Sequence, residues 1–143
     1  MQDLQRKIHR AMEYLKADVK KDMGIQAVNH FRKSFRDEGF TDRNVSKWKA
    51  VKRSSNGKGA ARGRKILTGE TKQLADSIGY RVSPRGVVIT SGVVYAKIHN
   101  EGGSAGRNGA SKIPQRQFMG KSAVLNRLIA REIQRELNRR LNG

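Results

Sequence analysis

Few side chains in this sequence could do bond chemistry. His99, Asn100 and Glu101 stand in a row, and a histidine near a glutamate can activate water or hold a metal ion, as a nuclease would require. The triplet precedes Gly102 and Gly103 in a glycine-rich turn, where a histidine that positions the turn by hydrogen bonding is the simpler reading. His9, His30 and His99 have no spacing to one another, or to carboxylates, that suggests a metal site. Cysteine is absent, which excludes thiolate ligands and disulfides. The serines form no nucleophile elbow, and Gly57-Lys58-Gly59 lacks both the spacing and the leading strand of a P-loop. The expectation is a protein that is not an enzyme and takes no cofactor or metal.

Positive charge is what the sequence supplies in quantity. Thirty-one Lys and Arg against 12 Asp and Glu leave a formal charge of +19, which attracts polyanions, nucleic acid above all. Two groups carry much of it. Lys52, Arg53, Lys58, Arg62, Arg64 and Lys65 fall in a Gly/Ser-rich stretch without apolar anchors, expected to be a flexible basic loop at about residues 50–65. That loop reads as a DNA-backbone contact, as an arm that orders against a neighbouring subunit, or as a solvated linker. Arg127, Arg131, Arg135 and Arg139 recur every fourth residue, offset by two from Leu125, Ile129, Ile133, Leu137 and Leu141. Two residues turn a helix by about 200°, so the basic row faces opposite the apolar row. It reads either as the solvated face of a core helix or as a rail toward DNA or an acidic subunit. A membrane-surface helix would want aromatic residues on its apolar face, and this one has none. No apolar run approaches the roughly 18 residues of a membrane span, and the first residues lack the apolar core of a signal peptide. No membrane partner is expected.

The elements that must position these residues follow from periodicity. Leu4, Ile8, Ala11, Met12, Leu15 and Val19 predict a helix from about Asp3 to Met23, with Asp3 able to cap its first turn. Gly24 interrupts, and Ile25, Val28, Phe31 and Phe35 resume the pattern. The reading is two helices, or one with a kink, ending near Asp37-Glu38-Gly39 with Gly39 as the stop. Phe31 and Phe35, at helical spacing, belong to the core. Thr68 or Thr71 can cap a short helix that turns Leu74, Ala75 and Ile78 inward. Ile78–Val82 and Val87–Thr90 form a hairpin about Ser83-Pro84-Arg85-Gly86. Tyr95–Asn100 is a third strand or a short helix. A Gly-rich loop follows at about residues 102–112, expected to be mobile until assembly orders it. Pro114 then sets an extended return, with Phe118 and Met119 as its anchors, and a helix runs from Lys121 to Leu141. The whole is one α+β domain over residues 1–143. It comprises a long N-terminal helix or helix pair, a small antiparallel β-sheet with a hairpin, and a long C-terminal amphipathic helix.

The order of these pieces carries a resemblance. Ile66-Leu67-Thr68-Gly69 is followed by Leu74-Ala75-Asp76-Ser77-Ile78 and a hairpin, then by Tyr95-Ala96-Lys97-Ile98-His99-Asn100-Glu101-Gly102-Gly103. Ile113-Pro114-Gln115-Arg116-Gln117-Phe118-Met119-Gly120 and a closing helix complete it. The sequence thereby resembles the phage virion morphogenesis family, the tail completion proteins of Mu-like and related tailed phages. The likeness is best over Ile66 to Leu141, and Trp48 fits the family's tryptophan before a variable loop. Gln115 stands where an alanine is usual, and Glu101 where an aromatic often precedes the paired glycines. The resemblance implies a structural virion protein acting in tail completion or head–tail joining, as a ring-forming homo-oligomer that meets other phage tail or neck proteins. It implies a place in the virion, after assembly in the bacterial host cytoplasm. Its motif residues are Tyr95, His99, Gly102, Gly103, Pro114, Arg116 and Phe118. The alternative, from charge alone, is a small basic nucleic-acid-binding protein. A ring around DNA would join the two readings, because non-specific contact needs a positive lining but no base readout.

Overall fold

A computed structural model describes residues 1–51, 63–69 and 71–143. The fold is α+β, as the periodicities require. Helix α1 (Gln2–Glu13) runs through a π-helical turn (Tyr14–Asp18) into α2 (Val19–Asp37). Strands β1 (Gly39–Thr41) and β2 (Val45–Lys47) form a first ladder. After the short helix α3 (Gln73–Asp76), β3 (Ile78–Ser83) and β4 (Gly86–Ser91) form the predicted hairpin, with Tyr80 opposite Ile89. Helix α4 (Ala96–Glu101) leads into a third ladder, β5 (Gly103–Ala105) with β6 (Ser111–Ile113), before α5 (Ala123–Asn142) closes the chain.

The break expected at Gly24 lies elsewhere. Gly24 is buried inside α2, and a Cβ there would come within 2.3 Å of the Tyr80 ring. Glycine at this position lets β3 approach the helix; it does not bend it. The irregularity is instead the π-turn. Tyr14 and His30 both meet α5, Tyr14 under the Arg140 guanidinium and His30 beside Ser122. Sixteen residues apart on an unbroken α-helix, they would point about 160° away from each other; the extra residue of a π-turn cuts this to about 60°. One rod can therefore keep α5 at its side along both halves.

Other local expectations are also adjusted. Asp3 makes no cap bond and pairs with Lys7 at 3.2 Å. The left-handed residue ending α2 is Glu38 (φ 50°), while Gly39 begins β1, where a Cβ would strike the Ser46 carbonyl oxygen at 2.7 Å. Neither Thr68 nor Thr71 caps α3, which starts after Lys72 in a left-handed conformation. Tyr95–Asn100 resolves to a helix from Ala96. The Gly-rich stretch 102–112 forms β5, a 3₁₀ turn (Arg107–Gly109) and β6.

The core gathers on α2. Ala27, Val28, Phe31 and Phe35 pack with Phe40, Trp48, Ile66, Leu74, Ile78, Phe118 and Leu125. Phe35 meets Trp48 edge-on at 5.5 Å and Phe118 at 5.1 Å, both within the range of favourable ring pairs. The hairpin tip is held against the start of α2, where Lys20 Nζ donates to the carbonyls of Ser83 (2.8 Å) and Pro84 (2.9 Å). No member of the buried core cluster precedes Ala27. Along α1, only Ala11 is buried; the apolar row Leu4, Ile8, Met12 stays exposed, as does Leu15 in the π-turn.

Candidate functional site

The return at Arg116–Met119 is built from the inside out. Phe118 is fully buried, and its backbone is gripped from two sides. The Asn100 side-chain oxygen accepts from the N–H groups of both Phe118 and Met119, each at 2.9 Å. Ser34 Oγ donates to the Phe118 carbonyl at 3.3 Å. One residue earlier, the Gln117 carbonyl accepts from the Trp48 indole N–H at 2.7 Å. The Arg116 N–H donates to the His99 carbonyl (2.8 Å), and its guanidinium donates twice to the Lys49 carbonyl (3.3 and 3.1 Å). Gly102 closes α4 with φ 76°, and a Cβ there would meet the Gln115 backbone N at 2.9 Å, so glycine is required twice over. Ile113 ends β6 immediately before Pro114, in the extended conformation a following proline imposes.

The turn is thus positioned by hydrogen bonds, but the side chain that does so is Asn100 and not the His99 ring. His99 packs edge-on against Tyr95 at 5.9 Å, and its Nδ1 is buried without a hydrogen-bond partner. Burial, reinforced by the Arg116 charge, pushes its pKa below the usual histidine value, so the ring is neutral near pH 7. Glu101 is exposed. Among the described residues, no three histidine, aspartate or glutamate side chains gather as a metal site would require. The structure does unite motifs that lie far apart in sequence. Leu67, Thr68 and Gly69 line one open cleft of about 660 Å³ with Tyr95, His99 and Arg116.

A second polar knot fixes α5. Ser122 caps it by accepting from the Leu125 N–H at 3.1 Å, and donates to the Thr41 carbonyl at 2.8 Å. His30 Nε2 faces that carbonyl at 3.0 Å and the Ser122 hydroxyl at 3.1 Å, which assigns the ring proton to Nε2. Asp42 accepts from the Ala123 N–H at 2.7 Å.

The expected basic row lies exposed along α5, opposite Leu125. Its two halves differ. Arg135 pairs with Glu132 at 2.5 Å and Arg139 with Glu136 at 2.9 Å. Bonds from Arg139 and Arg140 hold the Glu136 carboxyl down to about 2. Arg127 and Arg131 make no ion pair among the described residues. Lys65 is engaged locally: its Nζ donates to the Arg36 carbonyl at the end of α2, beside the Ile66 N–H that Glu38 accepts at 2.8 Å. Lys52, Arg53, Lys58 and Arg62 lie outside the described residues, and Arg64, which also has a partner, is half-buried. No helix among the described residues is long and apolar enough to cross a membrane.

Compared with known families, residues 2–138 match the phage virion morphogenesis family. No curated protein and no solved structure matches the chain.

Proposed function

The chain belongs to the phage virion morphogenesis family, and from that membership we propose that it is a non-catalytic structural subunit acting in tail completion or head–tail joining, assembled as a ring of identical copies. The observation that carries this reading is the match over nearly the whole chain, residues 2–138. Geometry supports it. The family-like motifs are spent on fixing a rigid return and one open cleft, with hydrogen bonds that position backbone and do not aim at a reacting atom. Its partners in this reading are further copies of itself and other phage tail or neck proteins, met in the virion after assembly in the host cytoplasm.

The +19 charge favours a second, compatible role in non-specific DNA contact, with Arg127 and Arg131 as its first candidates because, among the described residues, no carboxylate pairs with them. The direct test of function is add-back. Tails assembled without this protein should fail to join filled heads, and adding the purified chain should restore joining. Full joining without it would contradict the reading. For DNA, affinity should fall steeply with salt and weaken in R127A/R131A; binding insensitive to both would remove that role.

A further inference from the structure

We infer that the apolar stripe of α1 is a docking surface for a second copy of this chain, an inference that rests on the self-assembly reading above and gives it a location. Leu4, Ile8, Met12 and Leu15 recur at steps of four, four and three, so they share one side of the rod. They are 59, 45, 50 and 48% exposed. Their exposure is not due to a lack of helix neighbours: along one edge of this row Ala11 (8% exposed) is buried, and so is Tyr14 (1%) in the π-turn, under the Arg140 guanidinium of α5. The stripe therefore lies beside an existing helix seam and outside it. The β3–β4 hairpin does not reach it either, since its tip is tied off at Lys20. A contiguous row of large apolar side chains left in water marks an interaction site.

Charge selects the occupant. In residues 2–18 four cations stand against three anions, so this stretch holds one of the nineteen net positive charges and the rest of the chain holds the others. Two copies approaching through their basic surfaces repel each other, and the repulsion is least where the local charge nearly cancels. An apolar, nearly neutral face suits a second copy of a strongly cationic chain. An acidic partner or a polyanion would instead be drawn to the surfaces that carry the other charges. The three local ion pairs on α1 and its π-turn, Asp3 with Arg6, Asp3 with Lys7 and Glu13 with Lys16, leave the stripe itself free of charge.

The test is the mass in solution of the wild type and of I8D/M12D, by light scattering over a concentration series, with circular dichroism to confirm that helix content is kept. Should the aspartates cost helix content, I8Q/M12Q is the milder pair. L128D, at a half-exposed leucine on α5, is the control. The wild type should associate, the double variant should need at least a tenfold higher concentration to do so, and L128D should behave as wild type. Equal association of wild type and folded I8D/M12D overturns the inference while leaving a ring built through other contacts intact. A wild type that stays monomeric throughout, and instead binds tail components or vesicles through the stripe, overturns the second copy as occupant. The tail-joining role is then judged separately by add-back.

Discussion

α1 segregates apolar from charged side chains more sharply than α2, yet α2 is the half of the rod that is buried. α2 puts Gly24, Ala27, Val28, Phe31 and Phe35 into the fold, whereas α1 contributes only Ala11. Amphipathicity therefore records that a face will be covered, not by which molecule. α2's partners are the β3–β4 hairpin and the return at Phe118, from the same chain. Among the described residues α1's apolar row has no such partner, and in an assembling protein the missing one can come from a neighbour. The π-turn makes the difference visible. It keeps both halves against α5, while the stripe stays in water.

That contrast can be broken by substitution. F35A or F118A should cost about 3–5 kcal/mol, because each removes a ring packed on other rings in the core. Denaturant unfolding measures it, and a loss below 1 kcal/mol would mean the return is not seated as described. N100A should cost about 2 kcal/mol by leaving the Phe118 and Met119 N–H groups unpaired. N100D, which still accepts both bonds, should recover part of it, and no difference between the two would show that volume and not bonding matters. G24A should cost about 1–3 kcal/mol through its clash with the Tyr80 ring. Y80A should relieve much of that cost in the double mutant, and strict additivity would contradict the close approach.

His99 makes a smaller, pH-dependent contribution. Its pKa is lowered by burial, so the folded state binds fewer protons than the unfolded one. The stability due to the neutral ring is complete above the unfolded value of about 6.5 and is lost as pH falls through the lowered folded value. Thermal scans at pH 7.5 and 5.5 should show a larger drop for wild type than for H99Q; equal drops would place the titration elsewhere. The smallest effect belongs to the stripe. L4Q or I8Q should change monomer stability by no more than about 0.5 kcal/mol, measured by denaturant unfolding at low concentration, and a cost of core size would show that the row is packed within the chain.

Much of the fold could be read from sequence, though not which half of the rod stays uncovered, and the reason is periodicity. Long runs such as Leu125–Leu141 or Phe31 with Phe35 state their face unambiguously. Single residues do not. Gly24 looks like an interruption until Tyr80 is placed against it, and that contact spans 56 positions of sequence. The π-turn has no composition of its own in Tyr14–Asp18. Tyr95–Asn100 is too short for periodicity to choose between strand and helix. The 102–112 segment is rich in glycine because its turns use positive φ at Gly102, Gly103, Gly106 and Gly109, which composition alone reads as a loop. Asn100 stands in a triplet in which His99 and Glu101 are the residues with chemistry to offer. Its signal, an asparagine at the end of a short apolar segment before two glycines, is that of a side chain bonding to nearby backbone.

The central claim is that this chain works by assembling with copies of itself. Light scattering of the wild type across a wide concentration series, with negative-stain images of any large species and tail ends added at the highest concentration, tests it directly. A closed ring of one defined mass is the predicted result. A protein that remains monomeric at every concentration, with tails present as well as absent, would contradict the account.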